Sequence, residues 1–341
     1  MNFKLLITFY FLIGIVFGFD KVSKEEEDKI IENYFQKFPL VRARRFSKFN
    51  EAKENILKHF YEAQEHNEKF RRGDETYEME LNELSALSDE NLAKTRLGFI
   101  DQPNNDLQDD NSTIFSEIQN KFRSKRANIP EYWNWADHGI VQPVQDQGSC
   151  GSCYAFAAIG VIESSMCRFH GVCVKLSEQE AMECTNGCRG GWDTSVYNYA
   201  NSHNGCTAST YYRYLGYVNN QCDTQSRPRT QFSSTHQFII LPKNAEDIRQ
   251  FLYNYGPLFV AFDVYNNLFS YSSGIVTTTS GTRAGGHAVL LVGYGTSNDI
   301  PYWILKNSWG SRWGEKGYFR VIRGINFARI ESWKVSFAWT K

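Results

Sequence analysis

The stretch QDQGSCGSCYAF, Gln145 to Phe156, sets two cysteines three positions apart, Cys150 and Cys153. Three chemistries use such a pair: half of a thiolate zinc site, a redox dithiol, or a structural thiol beside a reactive one. A second pair, Cys184 and Cys188, could complete a four-thiolate zinc site. A dithiol of the redox kind needs a preceding strand in a βαβ unit, and Pro143 and Gly148 make the approach to Cys150 a loop instead. After Cys153 the run CYAFAAIGVIESSM is small and apolar over a helical length, so a buried helix is expected to start at or just before Cys153. Unpaired N–H groups at a helix start favour negative charge. That position lowers a thiol's pKa and makes it a nucleophile, with Cys150 anchoring the loop through a disulfide.

The compartment favours this third reading. Residues 1–18 form a leader: Lys4 is the positive end, Leu5 to Phe19 carry no charge, and Gly18 is the expected cleavage point. The apolar run is shorter than the roughly 20 residues of a membrane span. Entry into the secretory pathway is therefore expected, where cysteines pair as disulfides. With Cys153 free, seven of the 8 cysteines remain. One further thiol must then be unpaired or bonded outside the chain. The formal net charge of -1 suggests no nucleic-acid partner.

The chain divides into three zones. Residues 19–126 lack cysteine and read as a pro-segment with a linker. Phe46, Phe49, Ile56 and Phe60 form an amphipathic helical stripe, and Pro39 interrupts the charged helical region to give two helices. From Asp101 the composition turns polar, Asn111 heads an N-x-T glycosylation sequon, and FRSKRAN offers a processing site after Arg126. Residues 127–341 hold every cysteine. Beyond Cys222 the runs HQFIIL, LFVAFDV, HAVLLVGYG, YWILKNSW and GYFRVIRG read as strands between turns. Helices first and strands second indicate an α+β fold with two lobes.

A cysteine nucleophile needs a base, and the base an orienting acceptor. In GGHAVLLVGYG, His287 opens an apolar strand behind two glycines. Twenty residues on, Asn307 follows another apolar strand and precedes Trp309. An amide oxygen there can fix the imidazole tautomer, and Trp309 can shield that bond from water. The N–H of Cys153 and the side-chain amide of Gln147 are the expected oxyanion donors.

Taken together, CGSCY at Cys150–Tyr154, with His287 and Asn307 134 and 154 residues after Cys153, resembles the papain-like cysteine proteases. IPEYWNWADHGIVQPVQDQGSCGSC, LSEQEAMECTNGCRGGW and NSWGSRWGEKGYFRV extend the likeness over residues 127–341. NGCTASTYYRY and RIESW are most similar to the mite and nematode digestive members within the cathepsin L-like group. The resemblance implies a helical N-terminal lobe, an antiparallel β-barrel-like C-terminal lobe and a helical inhibitory pro-segment continuing as a linker across the cleft. It implies Cys153 as nucleophile, His287 as base then acid, Asn307 as orienter and Gln147 in the oxyanion hole. Gly190 and Gly191 would lie along the substrate backbone, and Trp309 would join the substrate-binding set. Trp192, Ala261, Gly285 and Trp333 would line an apolar subsite, with Asp193 beside it admitting some basic character. Disulfides Cys150–Cys188 and Cys184–Cys222 are implied, leaving Cys173–Cys206 and Cys167–Cys173 both open.

The implied activity is that of an endopeptidase made as a zymogen, since no His-rich insertion blocks the cleft. The rivals are an exopeptidase or transpeptidase on the same machinery, and a catalytically silent peptide-binding relative. Protein substrates, the chain's own pro-segment and cystatin-like inhibitors are the implied partners of a monomer, lysosomal or extracellular, with no cofactor or metal. Two departures stand out. Tyr154 replaces the commoner Trp, and in the pro-segment Arg45, Phe49 and Ile56 fit the family's inhibitory pattern while Val41, Ala52 and Phe60 do not.

Overall fold

The computed structural model describes residues 22–43, 49–100, 129–219, 222–223, 226–231, 237–240 and 244–339. The leader, Arg45, Phe46, the 101–126 linker with Asn111, and the basic run before Ala127 lie outside the described residues.

Helix α1 (Lys24–Lys37) starts in a capping box in which Ser23 and Glu26 satisfy each other's backbone N–H groups. It ends at Phe38, and Pro39 opens the short α2 (Pro39–Ala43), where its missing N–H costs nothing. Helix α3 (Phe49–Arg72) crosses α1 and buries Ala52, Ile56, His59, Ala63 and His66. Of the described members of the expected stripe, Ile56 is fully buried, and Phe49 is 45% exposed with its ring stacked on Phe35. The stripe is displaced because two histidines serve as core residues. Their rings donate to the carbonyls of Ser85 and Tyr77, each at 2.9 Å, so burial leaves those donors paired.

Strand β1 (Tyr77–Met79) and α4 (Asp89–Arg96), capped by Ser88, follow α3. Ile31, Tyr34, Phe35, Phe38, Val41, Ala52, Ile56 and Ala86 give this N-terminal segment a small core of its own. After β2 (Trp133–Asn134) the first lobe is built on α5 (Cys153–His170), flanked by α6 (Glu178–Glu183) and α7 (Asp193–Ser202). Small residues on α5 allow close packing on the sheet: a Cβ at Gly160 would stand 3.1 Å from Leu290 Cδ2.

Strands β3 (Cys206–Thr207) and β4 (Arg229–Thr230) pair with each other, and α8 (Ala245–Tyr255) follows β5 (Gln237–Ile240). The second lobe uses β6 (Leu258–Tyr265), β7 (Tyr271–Val276), β8 (Arg283–Ser297), β9 (Ile300–Lys306), β10 (Tyr318–Ile322) and β11 (Lys334–Trp339). With β1, β2 and β5 they form a sheet in the order β1-β7-β10-β9-β8-β6-β11-β5, with β2 also on β8. Every pairing is antiparallel except β10 with β7. The expected α+β fold is therefore present. An addition the sequence does not mark is β1, by which the pro-segment pairs with β7 of the second lobe.

The disulfides are Cys150–Cys188, Cys184–Cys222 and Cys167–Cys173. They remove Cys150, Cys184 and Cys188 from any zinc site and settle the open pairing. Cys153 and Cys206 are free and buried.

Candidate active site

Cys153 is the first residue of α5, at the face where the first lobe meets β8. Its sulfur accepts the backbone N–H of Ala288 at 3.5 Å, which ties the thiol to the residue after His287. His287 is fully buried on β8. Its Nε2–H donates to Asn307 Oδ1 at 2.8 Å, and that oxygen also accepts the Ser308 N–H at 2.8 Å. Asn307 is thereby fixed with its carbonyl toward the ring, so His287 carries its proton on Nε2 and a lone pair on Nδ1. Nδ1 has no partner. Trp309 stacks on the imidazole, centroids 4.8 Å apart, and screens the His287–Asn307 bond.

Gln147 is also buried. Its Nε2 donates one hydrogen to Cys150 O at 2.8 Å, and its Oε1 accepts the Ser308 hydroxyl at 2.6 Å. An amide nitrogen has a second hydrogen, and Nε2 makes no other hydrogen bond among the described residues. Tyr154 sits behind the nucleophile with its ring against Gly191 and its hydroxyl donating to Gly187 O at 3.0 Å.

A strap of the pro-segment, Leu97–Ile100, covers this arrangement. Gly98 and Phe99 donate to Gly286 O at 3.2 and 3.1 Å, Gly191 donates to Gly98 O at 2.9 Å, and Ile100 donates to Gly191 O at 3.3 Å. Phe99 pairs with Gly191 as a parallel bridge. Its ring meets Trp333 edge-on at 5.0 Å. The fit leaves no room for side chains at two glycines. A Cβ at Gly98 would fall 2.1 Å from Gly151 O, and one at Gly286 2.6 Å from both Phe99 O and the Trp333 ring. Residues 97–100 thus cross the site, while the Asp101–Arg126 linker, to which the resemblance assigns the crossing, lies outside the described residues.

Covering the site reverses the expected effect of the helix terminus. Burial pushes the Cys153 thiol up to about 12, against the opposing N–H groups of Ala288, Tyr154, Gly98 and Cys153 itself. Burial likewise lowers His287 to about 4, although its bond to Asn307 works the other way. Under the strap both groups are neutral at pH 7.

The expected substrate-side residues divide. Gly190, Gly191, Gly285, Trp309 and Trp333 adjoin the strap, Trp309 by donating its indole N–H to Arg96 O at 3.1 Å. Ala261 is buried inside β6 opposite Ala288 and Lys334, and Trp192 serves as N-cap of α7. Asp193 does not offer a charge to a ligand: it is fully buried, accepts Ser336 Oγ at 2.5 Å and lies 3.4 Å from Lys334 Nζ. Its charge is spent inside the domain. The residues sequence reasoning misses are Arg96, Leu97, Gly98, Phe99 and Gly286. Gly98 in TRLGFI, two residues past the end of a helix, is the signal that could have found the strap.

Residues 129–337 match the profile described as Papain family cysteine protease. The chain is 36% identical over 201 residues to fruit bromelain from Ananas comosus, covering 58% of this chain and just over half, 56%, of that relative. It is 34% identical over 263 residues to the oryzain gamma chain of Oryza sativa subsp. japonica, covering 74% of this chain and 69% of the relative. Among solved structures it is similar to the digestive procathepsin L2 proteinase from Tenebrio molitor larval midgut, with a TM-score of 0.77 at 27% identity, over 92% of this chain and 99% of the other.

Proposed function

Starting from the fact that the chain belongs to the papain family of cysteine proteases, we propose that it is a cysteine endopeptidase synthesised as a zymogen. Residues 1–18 act as a leader into the secretory pathway, 19–126 as the inhibitory pro-segment and 127–341 as the catalytic domain. The observation that supports this reading best is the His287 ring bonded to Asn307 and stacked on Trp309, its Nδ1 unpartnered among the described residues, while the next residue's N–H reaches a thiol at a helix start.

With the strap gone, water re-enters and the burial that keeps the pair neutral is relieved. The proton of Cys153 passes to His287 Nδ1, and the thiolate attacks the peptide carbonyl. The oxyanion forms against the N–H of Cys153 and the second amide hydrogen of Gln147. His287 returns its proton to the leaving amine as the C–N bond breaks. Water, deprotonated by the same nitrogen, then resolves the thioester and restores the thiol. Endopeptidase action is favoured because an unbroken chain passes the nucleophile on both sides. Phe99 lies toward Trp333 and Arg96 toward Trp309.

The test uses acid-processed enzyme and an internally quenched peptide blocked at both ends. Turnover and labelling of Cys153 by an electrophilic peptide are expected, and Cys153→Ser should lose both. Cleavage restricted to peptides with a free terminus would overturn the endopeptidase reading, and turnover by the Cys153→Ser protein would overturn the site itself.

A further inference from the structure

Arg96 is the last residue of α4 and is 2% exposed, an uncommon location for a guanidinium unless it is paired. Its Nη1 donates to Asp146 Oδ1 at 2.6 Å, and its carbonyl accepts the Trp309 indole N–H at 3.1 Å. One pro-segment residue is thus gripped at main chain and side chain by two residues of the catalytic domain. Asp146 is set for this task. It bridges to the backbone of Trp309, the same Oδ1 accepts the Gly148 N–H at 2.8 Å, and the next residue is Gln147. Even with the strap in place its carboxylate is 41% exposed, so it stands at the wall of the cleft and not inside the fold.

The strap also marks the two sides of the nucleophile. Gly191 and Trp333 receive Phe99 on one side, which in the proposed function is the acyl side of a substrate. Gly98 lies at Cys153, and Arg96, Trp309 and Asp146 lie beyond it on the leaving-group side.

We propose that Asp146 is a specificity-determining residue: in the uncovered enzyme it selects substrates with an arginine or lysine within two residues of the cleaved bond on the leaving-group side. The assignment rests on the endopeptidase reading above. A substrate side chain that reaches the position of the Arg96 guanidinium makes the same charge-assisted hydrogen bond, whichever way its backbone runs. Because the carboxylate is partly exposed, the preference is modest, about fivefold in kcat/KM over an uncharged residue.

The experiment compares processed wild-type, Asp146→Asn and Asp146→Lys enzymes, each standardised by titrating Cys153 with an electrophilic peptide. Substrates are doubly blocked quenched peptides that differ only in Arg, Leu or Glu at the first and second leaving-group positions. Wild type should favour Arg. Asp146→Asn keeps the acceptor for Gly148 and should bring the Arg-to-Leu ratio close to one, and Asp146→Lys should turn the preference toward Glu. A role limited to shaping the Gly148 turn would lower all rates together and leave the ratios alone, and that result overturns the proposal. Equal rates for Arg and Leu in fully titratable wild-type enzyme overturn it too, while leaving the endopeptidase reading intact. Failure of Cys153 to titrate in wild type would remove that reading and this inference with it.

Discussion

At the scale of single residues, Tyr154 shows how a smaller ring fills the place next to the nucleophile. Its hydroxyl reaches Gly187 O, a bond that Trp could not make in the same way. Tyr154→Phe should therefore destabilise the Cys153→Ser proenzyme by about 1 kcal/mol in denaturant unfolding. The role of Asn307 is separable from that of the base. Asn307→Ala should lower kcat of the processed enzyme by less than the roughly 10²–10⁴-fold that general-base catalysis supplies. An unchanged rate would show that Trp309 alone holds the ring. Cys153, His287, Asn307 and Gln147 can be singled out in the sequence because each sits in a short run of unusual composition, and contacts through Ala288 and Ser308 bring them together. The Arg96–Asp146 pair was not, since its halves lie 50 residues apart and each reads alone as an ordinary surface charge.

At the scale of elements, the strap depends on the absence of a side chain. Gly98→Val places carbon atoms where Gly151 O already stands, so the strap must lift. The intact Gly98→Val proenzyme should react with a thiol-directed label at pH 7 at a rate close to that of processed enzyme, whereas the wild-type proenzyme should be nearly inert. Acid should lift the strap by another route. The covered His287 has a pKa of about 4 against an ordinary 6.5, so the covered state resists protonation and the uncovered state does not. Stability of the covered state is full above about pH 6.5 and falls as pH drops toward 4. Asp89 cannot be the cause in this window. Its bond from His59 holds it at about 2, so its stabilising charge persists until the pH falls below its ordinary value near 3.8. In Cys153→Ser proenzyme, hydrogen-exchange protection of residues 97–100 should fall between pH 6.5 and 4, and His287→Ala should flatten that profile. A profile unaltered by His287→Ala would place the titrating group elsewhere. The helix of α5 was readable from its length and uniform apolarity. Strand β7 was not, because two serines and a glycine break its alternation and only pairing with neighbours makes it a strand.

At the scale of the molecule, the division into a helical lobe, a sheet lobe and a pro-segment follows from where cysteines, apolar runs and charges fall along the chain. How the pro-segment docks does not, because it involves backbone pairing that carries no side-chain signature. Its own core is small, and Tyr77, Met79, Leu97 and Phe99 bury instead in the core of the catalytic domain. Excess isolated pro-segment should therefore inhibit processed enzyme in trans, and Phe99→Ala should weaken that inhibition by an order of magnitude or more. Inhibition unaffected by Phe99→Ala would mean that the helices carry the binding without the strap.

Strand β1 has one more consequence. It is the outermost member of the sheet, and it belongs to the segment that the proposed function removes on maturation. In the proposed zymogen, activation would therefore do more than open a cleft: it would strip a selvedge from the fabric of the second lobe and uncover the main chain of Tyr271 and Ser273. A bare edge of this kind recruits any extended chain that meets it, including another molecule's. The ripened enzyme should accordingly clump on mild heating sooner than its precursor, a cost of activation borne far from the thiol.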